Sequence, residues 1–145
     1  MQQKSKKSKS EYTETATHGT KYLGVDISSE HLDVYLYGKY KRFNNNHEGL
    51  KKLKALIDRQ NEPVLVAYES TGWLSRILAM QLLSMGISQV CLNPSRVRNY
   101  ARAIGVQAKT DKKDCEMIAR FAEQTHARAN VTESPVLMRL KELQS

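Results

Sequence analysis

Apolar and polar positions change their spacing several times along this chain, and each change marks a new element. Residues 21–28 form a nearly continuous apolar run, the pattern of a buried strand. Residues 31–37 alternate at period two, with Leu32, Val34 and Leu36 on one face. Gly38-Lys39 then makes a tight connection to a short strand at 40–44, completing an antiparallel meander. Leu50, Leu53, Leu56 and Ile57 recur at helical spacing with lysines between them, which predicts an amphipathic helix over 46–60, ended by Asn61-Glu62-Pro63. A second apolar run, 64–69, leads through Ser70-Thr71-Gly72 into a helix over 73–85, with Gly86 suited to its C′ position. A strand at 87–92, a basic helix at 95–104, a break at Gly105 and a helix at 111–124 follow.

The order β-β-β-α-β-α-β-α-α, with crossovers of the usual right hand, brings the fourth and fifth strands back beside the first. The fold class expected is therefore α/β, a mixed five-stranded sheet flanked by helices. Residues 1–20 carry Lys4, Lys6, Lys7 and Lys9 and almost nothing to bury, so they read as a disordered basic tail. The folded domain is placed at 21–128. Residues 129–145 read as a linker and the start of a helix, with Val136, Leu137 and Leu140 at helical spacing.

Composition narrows the partners. The 145 residues hold 23 Lys+Arg against 15 Asp+Glu, a net charge of +8, which favours a polyanionic partner such as nucleic acid. No apolar run approaches the ~20 residues of a membrane span and no apolar leader follows the N-terminal lysines, so a cytoplasmic location and no membrane partner are expected. Cys91 and Cys115 lack any paired spacing and are expected to be small buried residues. The four histidines show no ligand spacing.

Against this basic background four carboxylates stand out. Asp26 interrupts the first apolar run, and Glu69 closes the second. Burying an unpaired carboxylate costs several kcal/mol, so a strand that keeps one usually gives it a cation. Asp111 and Asp114 stand three apart in Lys109-Thr110-Asp111-Lys112-Lys113-Asp114 at the mouth of a helix, so both are expected on one face. Asp111 would also serve as a helix cap, and Glu69 as a strand-end turn residue. In the expected sheet order the first and fourth strands are neighbours, so the four side chains converge. Hard oxygen ligands from two strands and a helix suit two Mg²⁺ ions for phosphoryl transfer. Arg96, Arg98, Arg102, Lys109, Lys112 and Lys113, interleaved with Tyr100, lead into the acidic pair as a phosphate-contacting rim for nucleic acid. Trp73 and Tyr68 are expected in the core.

Gly24-Val25-Asp26-Ile27-Ser28, Tyr68-Glu69-Ser70-Thr71-Gly72 and the stretch from Asn93-Pro94 through Ala101-Arg102-Ala103 to Lys109-Thr110-Asp111-Lys112-Lys113-Asp114 resemble blocks of the DEDD transposases. These are bacterial insertion-sequence recombinases of the "one-ten" type, related to pilin-gene invertases. The resemblance, from about residue 21 to about residue 128, implies a RuvC-like fold of the RNase H-like class. It implies that Asp26, Glu69, Asp111 and Asp114 are the catalytic, Mg²⁺-binding tetrad for DNA strand cleavage and exchange in transposition. Implied partners are DNA, further copies of the chain and, in some members, a guide RNA bridging donor and target. Members of the family add a coiled-coil segment and a C-terminal domain with a nucleophilic serine. These 145 residues contain no counterpart of that domain, so a truncated form is expected. A stand-alone RuvC-like nuclease or Holliday-junction resolvase needs only the same four ligands. A catalytically silent nucleic-acid-binding remnant would need none. An actin-like sugar-kinase half is suggested only by the Gly-Val-Asp-Ile-Ser turn and ranks last.

Overall fold

The computed structural model describes residues 19–105 and 113–130. The expected tail before residue 19, the coiled-coil start after residue 130, and Lys109, Asp111 and Lys112 lie outside the described residues. Five strands form one sheet: β1 (Lys21–Ile27), β2 (His31–Leu36), β3 (Lys39–Asn44), β4 (Val64–Glu69) and β5 (Gln89–Leu92), in the order β3-β2-β1-β4-β5. β1, β2 and β3 pair antiparallel, whereas β1–β4 and β4–β5 are parallel. This is the mixed five-stranded α/β sheet expected, consistent with an RNase H-like fold.

The helices are α1 (His47–Asp58), α2 (Trp73–Ser84), α3 (Pro94–Ala103) and α4 (Asp114–Gln124). Period-two alternation divides the sheet residues between two helical layers. Leu23, Val25, Leu32, Val34, Val66 and Tyr68 pack with Leu50 and Leu53 of α1 and Leu78 and Leu82 of α2. On the other face Tyr22, Leu65 and Ala67 meet Val97 of α3 and Met117, Ile118 and Phe121 of α4. Sequence accounts for the helix ends. The Asn46 side chain accepts from the Gly49 N–H at 2.8 Å and caps α1, and Asn93 caps α3 by accepting from the Ser95 N–H at 2.8 Å.

α4 crosses β1 so closely that a Cβ at Gly24 would sit 2.1 Å from the Cys115 carbonyl oxygen and 2.8 Å from the Ala119 nitrogen. Only glycine permits this approach, and it brings the N-terminus of α4 over the C-terminal half of β1.

Three expectations need correction. The helix expected over 111–124 is α4, which begins at Asp114 with Lys113 as an extended N-cap (φ −86°, ψ 156°). Cys91 is exposed, because β5 is an edge strand, although Cys115 is buried. Trp73 opens α2 and is 64% exposed. Tyr68 is buried as expected, its hydroxyl donating to Gln89 Oε1.

Candidate metal and nucleic-acid site

Asp26 and Glu69 owe their proximity to the β1–β4 register. Val25 pairs with Tyr68, so one step further along the two parallel strands the carboxylates stand on adjacent strands, which run about 4.8 Å apart. Alternation from Gly24 and Ala67 turns both toward the face that α4 covers. After Glu69 the chain turns at once, because Gly72 adopts φ 77°, a left-handed conformation open to glycine at no steric cost. Ser75 fixes this loop: its hydroxyl donates to the Gly72 carbonyl at 2.8 Å and accepts from the Thr71 N–H at 3.0 Å.

The third carboxylate comes from α4. Burial first, then the negative charges of Asp114 and Asp33, raise the Asp26 pKa above its ordinary value. Burial likewise raises that of Glu69, with Asp114 and Asp26 adding to the effect and Arg98 opposing it. Asp26, Glu69 and Asp114 thus lie within electrostatic reach of one another as like charges, the first two half-buried. Among the described residues, no three Asp, Glu, His or Cys side chains are close enough to form a ready-made metal cluster.

Sequence reasoning overlooked Asp33. In the β1–β2 ladder it pairs directly with Asp26, and in the β2–β3 ladder it pairs with Arg42. Arg42 grips it with two parallel hydrogen bonds, Nε to Oδ1 at 2.7 Å and Nη2 to Oδ2 at 3.1 Å, which holds its pKa below the usual carboxylate value. The signal was available: the short β2–β3 turn fixes the register, and the register places an acid opposite an arginine. Also overlooked was the brace on α4. Buried Glu116 accepts a hydrogen bond from the Tyr40 hydroxyl and pairs with Arg120 at 3.0 Å, tying the first turn of α4 to edge strand β3. The hydrogen bond to Glu116, aided by desolvation, pushes the Tyr40 pKa up to about 12. Burial, with Asp33 and Asp26 nearby, pushes that of Cys115 up to about 11.

The expected basic rim divides. Arg98 is close enough to Glu69 to oppose its pKa rise, and Lys113 lies 5.7 Å from the Tyr40 ring centroid and helps lower the Asp33 pKa. Arg96 instead turns back over the Phe121 ring at 5.7 Å, and Arg102 donates to its helix neighbour Asn99 at 3.4 Å. Among the described residues, no helix is long and apolar enough to cross a membrane.

A family model described as a transposase matches residues 23–145. The pilin gene-inverting proteins of Moraxella bovis and Moraxella lacunata are each 27% identical over 107 residues, covering 69% of this chain and 33% of their own length. The chain therefore spans about a third of the length of these curated relatives. The profile covers most of the chain, including Asp26, Glu69, Asp111 and Asp114. The chain belongs to the DEDD transposase family of the IS110 type.

Proposed function

We propose that residues 21–128 act as the RuvC-like catalytic domain of a DNA transposase or site-specific recombinase, with Asp26, Glu69, Asp114 and Asp111 as its Mg²⁺ ligands. The observation that carries this reading is the electrostatic coupling of Asp26, Glu69 and Asp114, delivered by two parallel strands and a helix. Half-buried carboxylates whose pKa values are raised by burial and by neighbouring acids form a donor set short of positive charge. Hard oxygen donors of this kind fit Mg²⁺, which also takes water and substrate phosphate oxygens as ligands. When bound, a pair of Mg²⁺ ions would supply Lewis-acid polarisation of the scissile phosphate and stabilisation of the attacking and leaving oxygens.

The chain's own residues do the remaining work in this reading. Arg98 and Lys113 flank the acids and attract the DNA backbone toward them. Arg42 occupies Asp33 and keeps that additional acid from adding its full negative charge beside Asp26. The Tyr40–Glu116–Arg120 brace holds the helix end that carries Asp114.

The test pairs calorimetric Mg²⁺ binding with nicking of supercoiled DNA in Mg²⁺. Wild type is expected to bind Mg²⁺ and nick. Asp26→Asn, Glu69→Gln and Asp114→Asn are expected to lower nicking at least about 100-fold, on the scale of losing a metal-held transition-state contact. Undiminished Mg²⁺ binding in Asp26→Asn would overturn the ligand assignment, and full nicking activity in EDTA would overturn the chemistry.

A further inference from the structure

A second charged feature lies at the other end of the sheet. Beside the β2–β3 hairpin and the C-terminal end of α1, a groove of about 350 Å³ is walled by Lys21, Lys39, Lys41 and Arg59. Its formation follows from the alternation of β3. Lys39, Lys41 and Phe43 share one face; α1 covers Phe43, which is buried, and leaves the two lysines exposed. Leu36 and Leu56 lie between them at the base.

The local acids are already taken. Glu62 pairs with Lys21 at 3.1 Å, and Asp58 with Lys54 at 2.8 Å. Among the described residues, Lys39, Lys41 and Arg59 therefore have no ion-pair partner. Lysines on an edge strand also discourage strand-to-strand aggregation, but that role does not require an arginine from a helix end to face the same groove. Lys39 and Lys41, two residues apart on one strand face, are separated by roughly 7 Å along it. A line of cations on an apolar base matches an extended polyanion better than a small anion, which needs donors converging on one point.

We infer that this groove is a second DNA-binding surface, taking the phosphate backbone of a duplex segment other than the one at the carboxylates. Lys21 and Asp26 are five residues apart on β1, roughly 17 Å along the strand. The groove also lies on the α1 face of the sheet, whereas the carboxylates lie on the α4 face. One straight segment of backbone does not serve both. The polyanion follows from charge and position, its identity as DNA rests on the proposed transposase function, and neither depends on the metal ligands.

The experiment is fluorescence anisotropy with a short mixed-sequence DNA duplex and the full chain in EDTA. The Lys39→Gln/Lys41→Gln double variant is expected to bind at least about tenfold more weakly in ~0.1 M salt. Its slope of log affinity against log salt should be shallower by about 1.8, the release of two phosphate contacts. Arg59→Gln should weaken binding in the same direction. Arg76→Gln, an exposed cation lost from α2, is the control for net charge and should stay within about twofold. Equal losses in the control and the double variant would overturn the site, as would an unchanged salt slope. A matching RNA duplex tests the occupant: sensitivity to Lys39→Gln/Lys41→Gln for RNA and not for DNA would overturn DNA. Thermal melts confirm folding; if the double variant is unfolded, Arg59→Gln against Arg76→Gln decides. The anisotropy is read in EDTA, where no metal chemistry runs, so loss of metal chemistry and loss of the groove give different results.

Discussion

Asp26 and Asp33 face each other across one rung of the β1–β2 ladder, yet their protonation is driven in opposite directions. Asp26 is half-buried beside like charges, so its proton is held more tightly in the folded chain than in the unfolded one; Glu69 behaves in the same way. In the interval between their ordinary values, 3.8 and 4.5, and the raised folded values, the native state binds more protons than the unfolded state. Stability in EDTA is therefore expected to fall as pH rises through that interval and to level off above it. Asp33 has the reverse sign: its ion pair with Arg42 contributes stability above 3.8 that is lost as pH falls through its depressed folded value. Urea denaturation across acid to neutral pH separates the two. Burial remains in Asp114→Asn, but the charge that adds to the rise of both Asp26 and Glu69 is gone, so the decline toward neutral pH should become shallower. Asp33→Asn should instead remove the loss at the acid end. A steeper neutral decline in Asp114→Asn would show that Asp114 does not face the other two acids.

At the scale of elements, the position of α4 decides whether a site exists, and Gly24 sets that position. An added methyl would meet the backbone of Cys115 and Ala119, which cannot yield as a flexible side chain can. Gly24→Ala is expected to lower unfolding free energy by about 1–3 kcal/mol, through forced backbone displacement. Because the displaced element carries Asp114, the same variant should weaken Mg²⁺ binding, read by calorimetry on protein still folded by circular dichroism. Destabilisation with metal affinity unchanged would separate the helix contact from the site. This contact also marks the boundary of what the sequence makes legible. Strand order and the two strand carboxylates can be read from apolar runs and their interruptions, because burial and alternation are local properties. The start of α4 cannot, since the sequence offers a helix first turn at either acid of the pair and the extended backbone of Lys113 that precedes Asp114 leaves no mark in it. Asp33 alternates against Leu32 and Val34 and so resembles any solvated position; its meaning arises only when β1 and β3 bring Asp26 and Arg42 beside it. Trp73 and Cys91 are apolar by type but end up exposed at a helix start and a sheet edge, places that composition does not reveal.

Across the whole molecule, the net charge of +8 hides an uneven distribution: acids gather over the C-terminal ends of β1 and β4, while cations line the groove at the opposite end. The acidic end weakens the apo fold near neutral pH, because Asp26, Glu69 and Asp114 are held near one another as like charges on the α4 face of the sheet. Cation binding there should consequently stabilise the entire domain, since both cores are built on the same five strands. A ligand confined to the native state adds about 2.7 kcal/mol when present at 100 times its dissociation constant. Wild-type Tm is thus expected to rise with Mg²⁺ and to return to its starting value on chelation. Protons compete for the same oxygens, so the rise should be larger at about pH 8 than at about pH 5. Asp26→Asn/Asp114→Asn should have a higher Tm than wild type in EDTA near neutral pH, because repulsion is removed, and should gain little from Mg²⁺. That inversion separates a metal site from a structural acid patch: removing structural acids would lower Tm and leave the response to Mg²⁺ unchanged, whereas removing ligands raises the apo Tm and abolishes the response. Na⁺ at matched ionic strength supplies the screening control, because screening relieves repulsion in any acidic cluster and needs no particular ligand. An equal Tm rise with Na⁺ and Mg²⁺ would reduce Asp26, Glu69 and Asp114 to an acidic surface with no specific ion to hold.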